Sequence, residues 1–357
     1  MEYSQESRYL RPGEHTAGIR NLMLFYNGHY ESHAGIWKKD DFVPYISYVD
    51  ESGRPREWFF DGALFLAKWS FAFRGYEGYP VGDERSNNLE DWRWYLDKTF
   101  GEAGDLAELN KAVEDVAVQL NDPGYKMKVV IMIPYPDPSQ HEFGELAGSG
   151  PLSFDYRRVA PEEAHRNKQL ALKWYVGQLL KRWDEADLPR LELSALYWMN
   201  EAVHQSVPQE EELIGWTRDL IHDAGLKFFW IPYFNAENYG KWKELGFDAA
   251  VLQPNHFFTE TGADRIQVTA DMAAKAGMGL EMEVDYRVFG EDGAFRGKYL
   301  NYLNGGVEYG FAGDVFRGYY QDVKLLAAAA YNEDPAKRAI YDMTYRFVKG
   351  TYVSTNS

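Results

Sequence analysis

Short runs of β-branched and aromatic residues alternate along this chain with longer stretches of helical periodicity. Apolar residues at three- to four-residue spacing predict helices over 105–120, 161–183, 208–225, 263–277 and 334–350. The candidate strands are 20–26, 58–66, 127–135, 191–200, 227–234, 248–255, 279–286 and 313–320. Strands that alternate with helices pair in parallel through helical crossovers. Eight such strands favour closure, so the pattern predicts a single α/β domain, a (β/α)8 TIM barrel.

The predicted barrel domain covers residues 1–350, and residues 351–357 form a C-terminal tail. Extended loops are expected after the second and third strands, over 67–104 and 136–160. Both loops leave the carboxyl ends of strands, the face on which barrel enzymes build their sites. An open doubly wound sheet is the alternative, but it usually carries a glycine-rich phosphate turn after its first strand. Here "FYNGHYESH" follows that strand and contains no GxGxxG.

The amino-acid composition excludes several kinds of binding partner and several kinds of site. The 357 residues include 38 Lys and Arg against 55 Asp and Glu, a formal net charge of −17, which argues against nucleic acid or an anionic membrane. The absence of cysteine excludes a disulfide scaffold, a thiolate nucleophile and a cysteine-ligated zinc site. No signal-peptide pattern opens the chain, and no apolar run approaches the roughly 20 residues of a membrane span. We therefore expect a soluble protein, secreted if a leader was removed and otherwise cytoplasmic.

Amides, carboxylates and aromatic rings dominate the ends of the predicted strands. Such a mouth suits a neutral polyhydroxylated ligand, because rings pack on sugar C–H faces while amides and acids bond hydroxyls. An aromatic content of 16% also exceeds what a core usually needs. We expect a carbohydrate substrate and no metal or cofactor. The candidate substrate-binding residues are Asn200, Trp198, Tyr26, Asp61, Tyr135, Trp230, Tyr233, Asn235, Asn255, His256, Glu281 and Asp285.

Two acidic segments have the residues that glycoside cleavage needs, namely one protonated and one ionised carboxyl group. In "LYWMNEAVHQS", Glu201 follows the fourth strand and is the expected acid, with Trp198 raising its pKa and Asn200 bonding the sugar 2-hydroxyl. In "GLEMEVDY", residues 281, 283 and 285 share one face of the seventh strand. Glu283, nearer the carboxyl end, is the expected nucleophile. Glu281 is expected deeper in the barrel, paired with an arginine such as Arg20.

This layout resembles clan A of the glycoside hydrolases, (β/α)8 retaining enzymes with an Asn-Glu acid/base after strand four and a glutamate nucleophile on strand seven. The matching residues are Asn200, Glu201 and Glu283. The whole chain is similar to the bacterial domain-of-unknown-function family DUF4855 in "RPGEHTAGIRNLMLFY", "FDGALFL", "YWMNEAV" and "GLEMEVDYRV". The resemblance implies a barrel hydrolase that acts on bacterial or plant polysaccharide. Strand seven lacks the Thr-Glu-Phe/Tyr-Gly ending of clan A, so Glu281 is the alternative nucleophile.

Structural roles are the alternative for each of these residues. Glu201 can also be a solvated loop acid, Asp61 the cap of a turn, and Trp198 or Trp230 a core ring. Asn235, Asn255 and His256 can equally satisfy loop backbone. At the level of function, the sequence favours a retaining glycoside hydrolase over two alternatives, a non-catalytic glycan-binding barrel and an inverting hydrolase. Serine hydrolysis and zinc proteolysis are disfavoured, because there is no GxSxG and "HEFGE" lacks the second histidine.

Overall fold

Eight parallel strands close into a barrel in the computed structural model, which describes residues 9–30, 33–78 and 85–355. Each strand pairs with the next in chain order, and the eighth returns to the first through the pairs Asn21–Arg317 and Met23–Tyr319. The predicted TIM barrel is confirmed, with all eight strands at the predicted places. The strands are β1 Asn21–Tyr26, β2 Gly62–Leu66, β3 Met127–Ile133, β4 Leu191–Trp198, β5 Lys227–Trp230, β6 Ala249–Leu252, β7 Gly279–Glu283 and β8 Arg317–Tyr320.

Helices surround the barrel, and the five predicted ones are among them. They begin with features typical of helix starts, such as Pro161 and Pro335 in the first turn of two of them. Others that the periodicity did not delimit lie in the connections. The helices are α1 Lys39–Ile46, α2 Leu89–Phe100, α3 Asp105–Gln119, α4 Pro161–Glu185, α5 Glu210–Asp223, α6 Trp242–Leu245, α7 Asp264–Ala276, α8 Ala294–Glu308, α9 Leu325–Ala330 and α10 Pro335–Val348.

Small elements fill the connections. The two-stranded sheets pair His29–Tyr30 with His33–Ala34, Ser47–Val49 with Pro55–Trp58, and Gly144–Leu146 with Gly150–Leu152. Short 3-10 helices within the described part of the chain include Glu14–Thr16, Tyr239–Lys241 and Tyr286–Phe289. The last two-stranded sheet lies in the segment after β3 and packs on α2, where the rings of Phe143 and Trp92 are 4.8 Å apart. The connections after β2 and β3 therefore pack against each other at the carboxyl end of the barrel.

Residues after α10 pack back on the barrel's outer layer. The Asn304 side-chain oxygen on α8 accepts hydrogen bonds from the Tyr352 hydroxyl at 2.9 Å and from the Thr355 backbone nitrogen at 3.0 Å. In the part of the chain that the structure describes, no helix is both long enough and apolar enough to span a bilayer.

Candidate functional site

A cavity of about 340 Å³, hereafter the mouth cavity, lies at the carboxyl ends of the strands. Its floor consists of strand residues that point into the barrel, including Leu24, Tyr197 and Glu281. Aromatic, acidic and amide side chains dominate its walls. The full lining is Leu24, Tyr26, Tyr30, Lys68, Glu77, Tyr197, Glu201, Ile231, Gln253, Asn255, Phe258, Glu281 and Tyr320. The expected residues Tyr26, Glu201, Asn255 and Glu281 therefore meet here.

Glu201 lies three residues beyond the end of β4, where the chain leaves the barrel. Burial raises the pKa of its carboxyl to about 7, a hydrogen bond with Gln253 and the positive charge of Lys68 oppose that rise, and Glu283 adds to it. Trp198 is not part of the cavity lining, and, in addition to burial, the charge of Glu201 raises the pKa of the lining tyrosines Tyr26 and Tyr197. A pKa near neutral pH is the value that suits a general acid.

Glu281 is the deeper of the two glutamates of β7, and it borders the mouth cavity. Its Oε1 atom is buried and has no hydrogen-bond partner within the described residues. Burial, followed by the charges of Glu283 and Glu201, raises the pKa of Glu281 well above its ordinary value. The expected pairing with Arg20 is wrong: that guanidinium lies 2.8 Å from Asp314, near the start of β1, and is about half exposed.

Glu283 is fully buried at the end of β7 and is not among the residues that line the mouth cavity. Its Oε1 accepts a hydrogen bond from the Asn255 backbone nitrogen at 2.9 Å, and its Oε2 accepts one from the Tyr302 hydroxyl. Burial raises the pKa of Glu283 to about 7, while these bonds and one from the Phe257 nitrogen oppose the rise. Because of these donors, the ionised carboxylate is stabilised more at Glu283 than at Glu281.

Glu77 is a third acid of the mouth cavity, and sequence reasoning missed it. It lies in the connection after β2 together with Lys68. Burial raises the pKa of Glu77 to about 8, with a further rise from Glu201 and an opposing effect of Lys68. The only signal in the sequence was the position of its loop at a carboxyl end of the barrel, because "RGYEGYPVG" has no motif around the acid.

Asn200 holds the loop of Glu77 beside Glu201. Its side-chain oxygen accepts a hydrogen bond from the Gly78 nitrogen at 3.3 Å, and its amide nitrogen donates to the Ala202 carbonyl at 2.7 Å. Asn200 also donates to Glu210, whose two oxygens accept from the Tyr135 hydroxyl at 2.9 and 3.0 Å. Because both amide hydrogens have protein partners, the expected bond of Asn200 to a sugar 2-hydroxyl is not supported. Tyr135 is likewise a buried partner of Glu210.

A second cavity, of about 420 Å³ and hereafter the outer cavity, adjoins the first. The two cavities share Glu77, Glu201 and Asn255. Tyr233, an expected sugar contact, lies in the outer cavity and is 38% exposed. Its full lining is Glu77, Gly78, Asn200, Glu201, Ala202, His204, Tyr233 and Asn255.

The two tryptophans expected at the mouth lie in the core instead. Trp198 is fully buried and packs at ring distances of 5.8 and 6.0 Å against Tyr135 and Phe228. Trp230 stacks on Phe247 and donates from its indole nitrogen to the Asn200 carbonyl at 2.8 Å. Neighbouring strand side chains point to opposite faces, so Tyr197 faces the cavity and Trp198 faces away from it. The structural alternative for both rings is thus the correct one.

Asp61 lies at the opposite end of the barrel from the cavities. The predicted strand over 58–66 begins only at Gly62, because Pro55–Trp58 pairs with Ser47–Val49 in a separate sheet. The Asp61 carboxylate accepts hydrogen bonds from the backbone nitrogens of Asn21 at 2.7 Å and of Arg20 at 3.1 Å, where β1 begins. The expected sugar contact of Asp61 is therefore wrong, and its role is to satisfy backbone donors.

Three other expected contacts are not brought to either cavity. His256 is buried between Thr261 and Asn301, and burial, with the charges of Lys298 and Arg265, lowers its pKa to about 4. Asp285 accepts a hydrogen bond from the nitrogen of Arg287 and pairs with its guanidinium. Asn235 is exposed in a left-handed turn with φ 58°. Among residues 9–30, 33–78 and 85–355, no group of three or more acidic, histidine or cysteine side chains could hold a metal ion.

Family membership follows from the sequence profile described as "Domain of unknown function (DUF4855)", which matches residues 21–346. The chain belongs to the DUF4855 family. The match spans all eight barrel strands, so the shared unit is the whole barrel, including Glu201, Glu281 and Glu283. No curated protein matches this DUF4855 chain in sequence.

Solved structures similar to this DUF4855 protein include barrels that act on polysaccharides. They include a Bacteroidetes-affiliated GH5 cellulase (11% identity, TM-score 0.44, covering 93% of this chain and 97% of that one). A tri-modular GH5 endo-beta-1,4-glucanase from Bacillus licheniformis (12%, 0.42) aligns over 94% of this chain, and SrfJ from Salmonella typhimurium (12%, 0.42) over 85%. The chain spans less than two thirds of these last two proteins, 61% and 64%.

Proposed function

We propose that this DUF4855 barrel hydrolyses O-glycosidic bonds of an oligo- or polysaccharide with retention of anomeric configuration. The observation that carries the proposal is that Glu201 and Glu281 border one cavity, with Glu283 buried two residues beyond Glu281 on the same face of β7. Their charges interact, since Glu283 raises the pKa of Glu201 and Glu201 raises that of Glu281. Like charges in a site of low polarity do not all ionise, so one carboxyl keeps its proton while another is free of it.

Such a distribution supports a double displacement. Glu201, protonated, gives its proton to the glycosidic oxygen as the bond to the anomeric carbon breaks, and the ionised nucleophile attacks that carbon. The product of this step is a glycosyl ester of the enzyme and a free alcohol. Glu201, now ionised, removes a proton from water, whose oxygen displaces the ester and restores both carboxyl groups.

Glu283 is the proposed nucleophile because it has the donors that an ionised carboxylate needs. Its two oxygens accept bonds from the Asn255 nitrogen and the Tyr302 hydroxyl. Glu281 is the alternative nucleophile, because it borders the mouth cavity and a bound substrate can reach it directly. The raised pKa of Glu281 makes it a poorer nucleophile but a suitable hydrogen-bond donor to a sugar oxygen.

The rest of the mouth cavity suits a sugar. Tyr26, Tyr30, Tyr197, Phe258 and Tyr320 offer ring faces and hydroxyls. Gln253 and Asn255 offer amides at the carboxyl end of β6, and Gln253 also bonds Glu201. A ring face next to several hydrogen-bonding groups is the combination that binds polyhydroxylated ligands.

The experiment that tests the proposal compares the wild type with Glu201→Gln on a panel of aryl glycosides and neutral polysaccharides. The variant should lose about 10²–10⁴-fold in kcat, because general acid catalysis is removed, and should keep its affinity for the sugar. Glu192→Gln is the matched control, since Glu192 is exposed near the start of the same strand. The first-formed anomer, followed by NMR, should have the configuration of the substrate.

Three outcomes contradict the proposal in different ways. Sugar binding without turnover by the wild type indicates a glycan-binding barrel. First-formed product of the opposite anomeric configuration indicates an inverting hydrolase. Equal turnover by the wild type and Glu201→Gln removes Glu201 from the reaction.

A further inference from the structure

Glu201, the proposed acid, lies at the boundary between the mouth cavity and the outer cavity. Glu201 borders both of them, as do Glu77 and Asn255. Of the two β7 glutamates, Glu281 borders only the mouth cavity, and Glu283 follows it on the same face of the strand, buried behind the cavity lining. A general acid must face the oxygen of the bond that breaks, and the nucleophile must face the sugar whose anomeric carbon it attacks. Given the proposed function, the glycone therefore belongs in the mouth cavity and the leaving group in the outer cavity.

The mouth cavity is closed below by the barrel. Leu24, Tyr197, Ile231 and Glu281 form this floor, and each is buried. A chain of sugars therefore cannot continue into the barrel.

The mouth cavity is also closed on the side opposite the outer cavity. Tyr30 follows β1 and Tyr320 ends β8, and their hydroxyls are hydrogen-bonded to each other. The ring of Tyr26 lies 4.6 Å from that of Tyr30, and Phe258 meets Tyr320 edge-on at 5.2 Å. We call Tyr26, Tyr30, Phe258 and Tyr320 the ring wall. In the barrel β8 is opposite β4, so the ring wall faces the Glu201 segment across the cavity.

The size of the mouth cavity agrees with this arrangement. About 340 Å³ is near the lower end of the roughly 300–1,000 Å³ of ligand pockets, a volume that admits a sugar ring and excludes a long chain. Tyr233 and His204 at the edge of the outer cavity are partly exposed. A longer leaving group can extend from there into solvent.

We propose that this protein acts at chain ends: the mouth cavity accepts the single sugar at the non-reducing end, and the outer cavity accepts the remainder of the saccharide. The inference rests on the proposed function, because it assigns the cavities by the roles of Glu201 and the β7 glutamates. The first product of every turnover is then a monosaccharide. The ring wall is the feature that prevents binding of a sugar before the terminal one.

The test uses borohydride-reduced pentasaccharides from cellulose, xylan, mannan and β-1,3-glucan, whose reduced end marks the direction of cleavage. Products from the first tenth of the reaction are separated and weighed by mass spectrometry. A monosaccharide and a reduced tetrasaccharide are expected from the pentasaccharide that is cut. Early release of unreduced di- or trisaccharide overturns the inference and leaves the proposed function standing. Absence of cleavage of any pentasaccharide or aryl glycoside overturns the proposed function itself.

Variants of the ring wall add a second readout. Tyr320→Ala should open the wall and raise the share of unreduced disaccharide and longer first products at least several-fold. Tyr331→Ala is the matched control, because Tyr331 is 51% exposed and lies outside both cavities. Phe258→Ala, at a position 40% exposed, tests the same wall if the first variant does not fold. A product pattern unchanged in a folded wall variant overturns the role of the ring wall.

Discussion

Glu201 and Glu283 are held near the same pKa, about 7, by the same cause, burial at the mouth of the barrel. Their surroundings differ in kind. Glu283 accepts bonds from the donors of Asn255 and Tyr302, whereas Glu201 has an amide, Gln253, and the more distant charge of Lys68. When two groups interact in this way, the measured pKa values belong to the pair. At the scale of the residue, the site is therefore set to hold one proton between two carboxyl groups near neutral pH.

A bell-shaped pH dependence of kcat/KM follows. Activity should fall as pH drops below about 7, because the proposed nucleophile Glu283 becomes protonated, and fall as pH rises above about 7, because the proposed acid Glu201 loses its proton. The measurement is hydrolysis of a 4-nitrophenyl glycoside between pH 4 and pH 10. With a 2,4-dinitrophenyl leaving group, which needs no acid, Glu201→Gln should lose the alkaline limb alone. A maximum below pH 5 would show that burial does not govern these groups.

The nucleophile can be identified by trapping the glycosyl-enzyme. A 2-deoxy-2-fluoro glycosyl fluoride of the accepted sugar should label one glutamate, and a peptic digest should place the added mass on Glu283, which has the donors that stabilise its ionised form. Glu283→Gln should abolish the label, while the control Glu192→Gln should keep it. A label on Glu281 instead would show that access to the cavity outweighs ionisation.

At the scale of the element, the connection after β2 is held against the connection after β4. Asn200 accepts the bond from Gly78, and that glycine packs so closely that an added Cβ would lie 2.5 Å from the Tyr135 ring and 2.9 Å from the Asn200 side-chain oxygen. Only a residue without a side chain permits this approach. The position of Glu77 beside Glu201 therefore depends on Gly78.

Gly78→Ala should move Glu77 and lower kcat/KM, by up to about 10²-fold if the displacement of the site approaches 1 Å. The melting temperature should also fall, since the added methyl group meets the buried Tyr135 ring, and the kinetics are therefore compared at a temperature at which this variant and its control are both folded. Gly240→Ala is the control, because a Cβ added at Gly240 would meet no other atom within 4 Å and the φ of this glycine is not positive. Equal kinetics for the two alanine variants would mean that the Glu77 loop is not needed for activity.

At the scale of the whole molecule, the carboxyl groups of the site lower the free energy of unfolding when they ionise. Glu77, Glu201, Glu210 and Glu283 all have a pKa raised to about 7 or 8 by burial. Between their ordinary pKa and these values, the folded protein binds more protons than the unfolded chain does. The free energy of unfolding must then decrease as pH rises through that window, and it is largest on the acidic side.

The melting temperature should accordingly be higher at pH 5.5 than at pH 8 by several degrees, as measured by differential scanning calorimetry. Relief of repulsion in a chain of net charge −17 acts in the same direction, so a matched pair of variants is needed. Glu77→Gln and Glu192→Gln each remove one acid, but only Glu77 is buried at the site. Glu77→Gln should reduce the pH dependence of the melting temperature more than the control does. A melting temperature that rises from pH 5.5 to pH 8 contradicts this account.

The sequence by itself determined the barrel fold and the two strand ends, of β4 and β7, that carry the proposed catalytic glutamates. Hydrophobic periodicity is a local property, so it located all eight strands and brought Glu201 and Glu281 to a common mouth, since parallel strands end on one side. Only the tertiary structure decided which side chains face the cavity. A side chain's face depends on strand register, and one residue separates cavity-lining Tyr197 from core Trp198. The role of Asp61 could be assigned only once β2 was seen to begin at Gly62. The position of Glu77 depends on a loop contact through Gly78 that no local sequence pattern encodes.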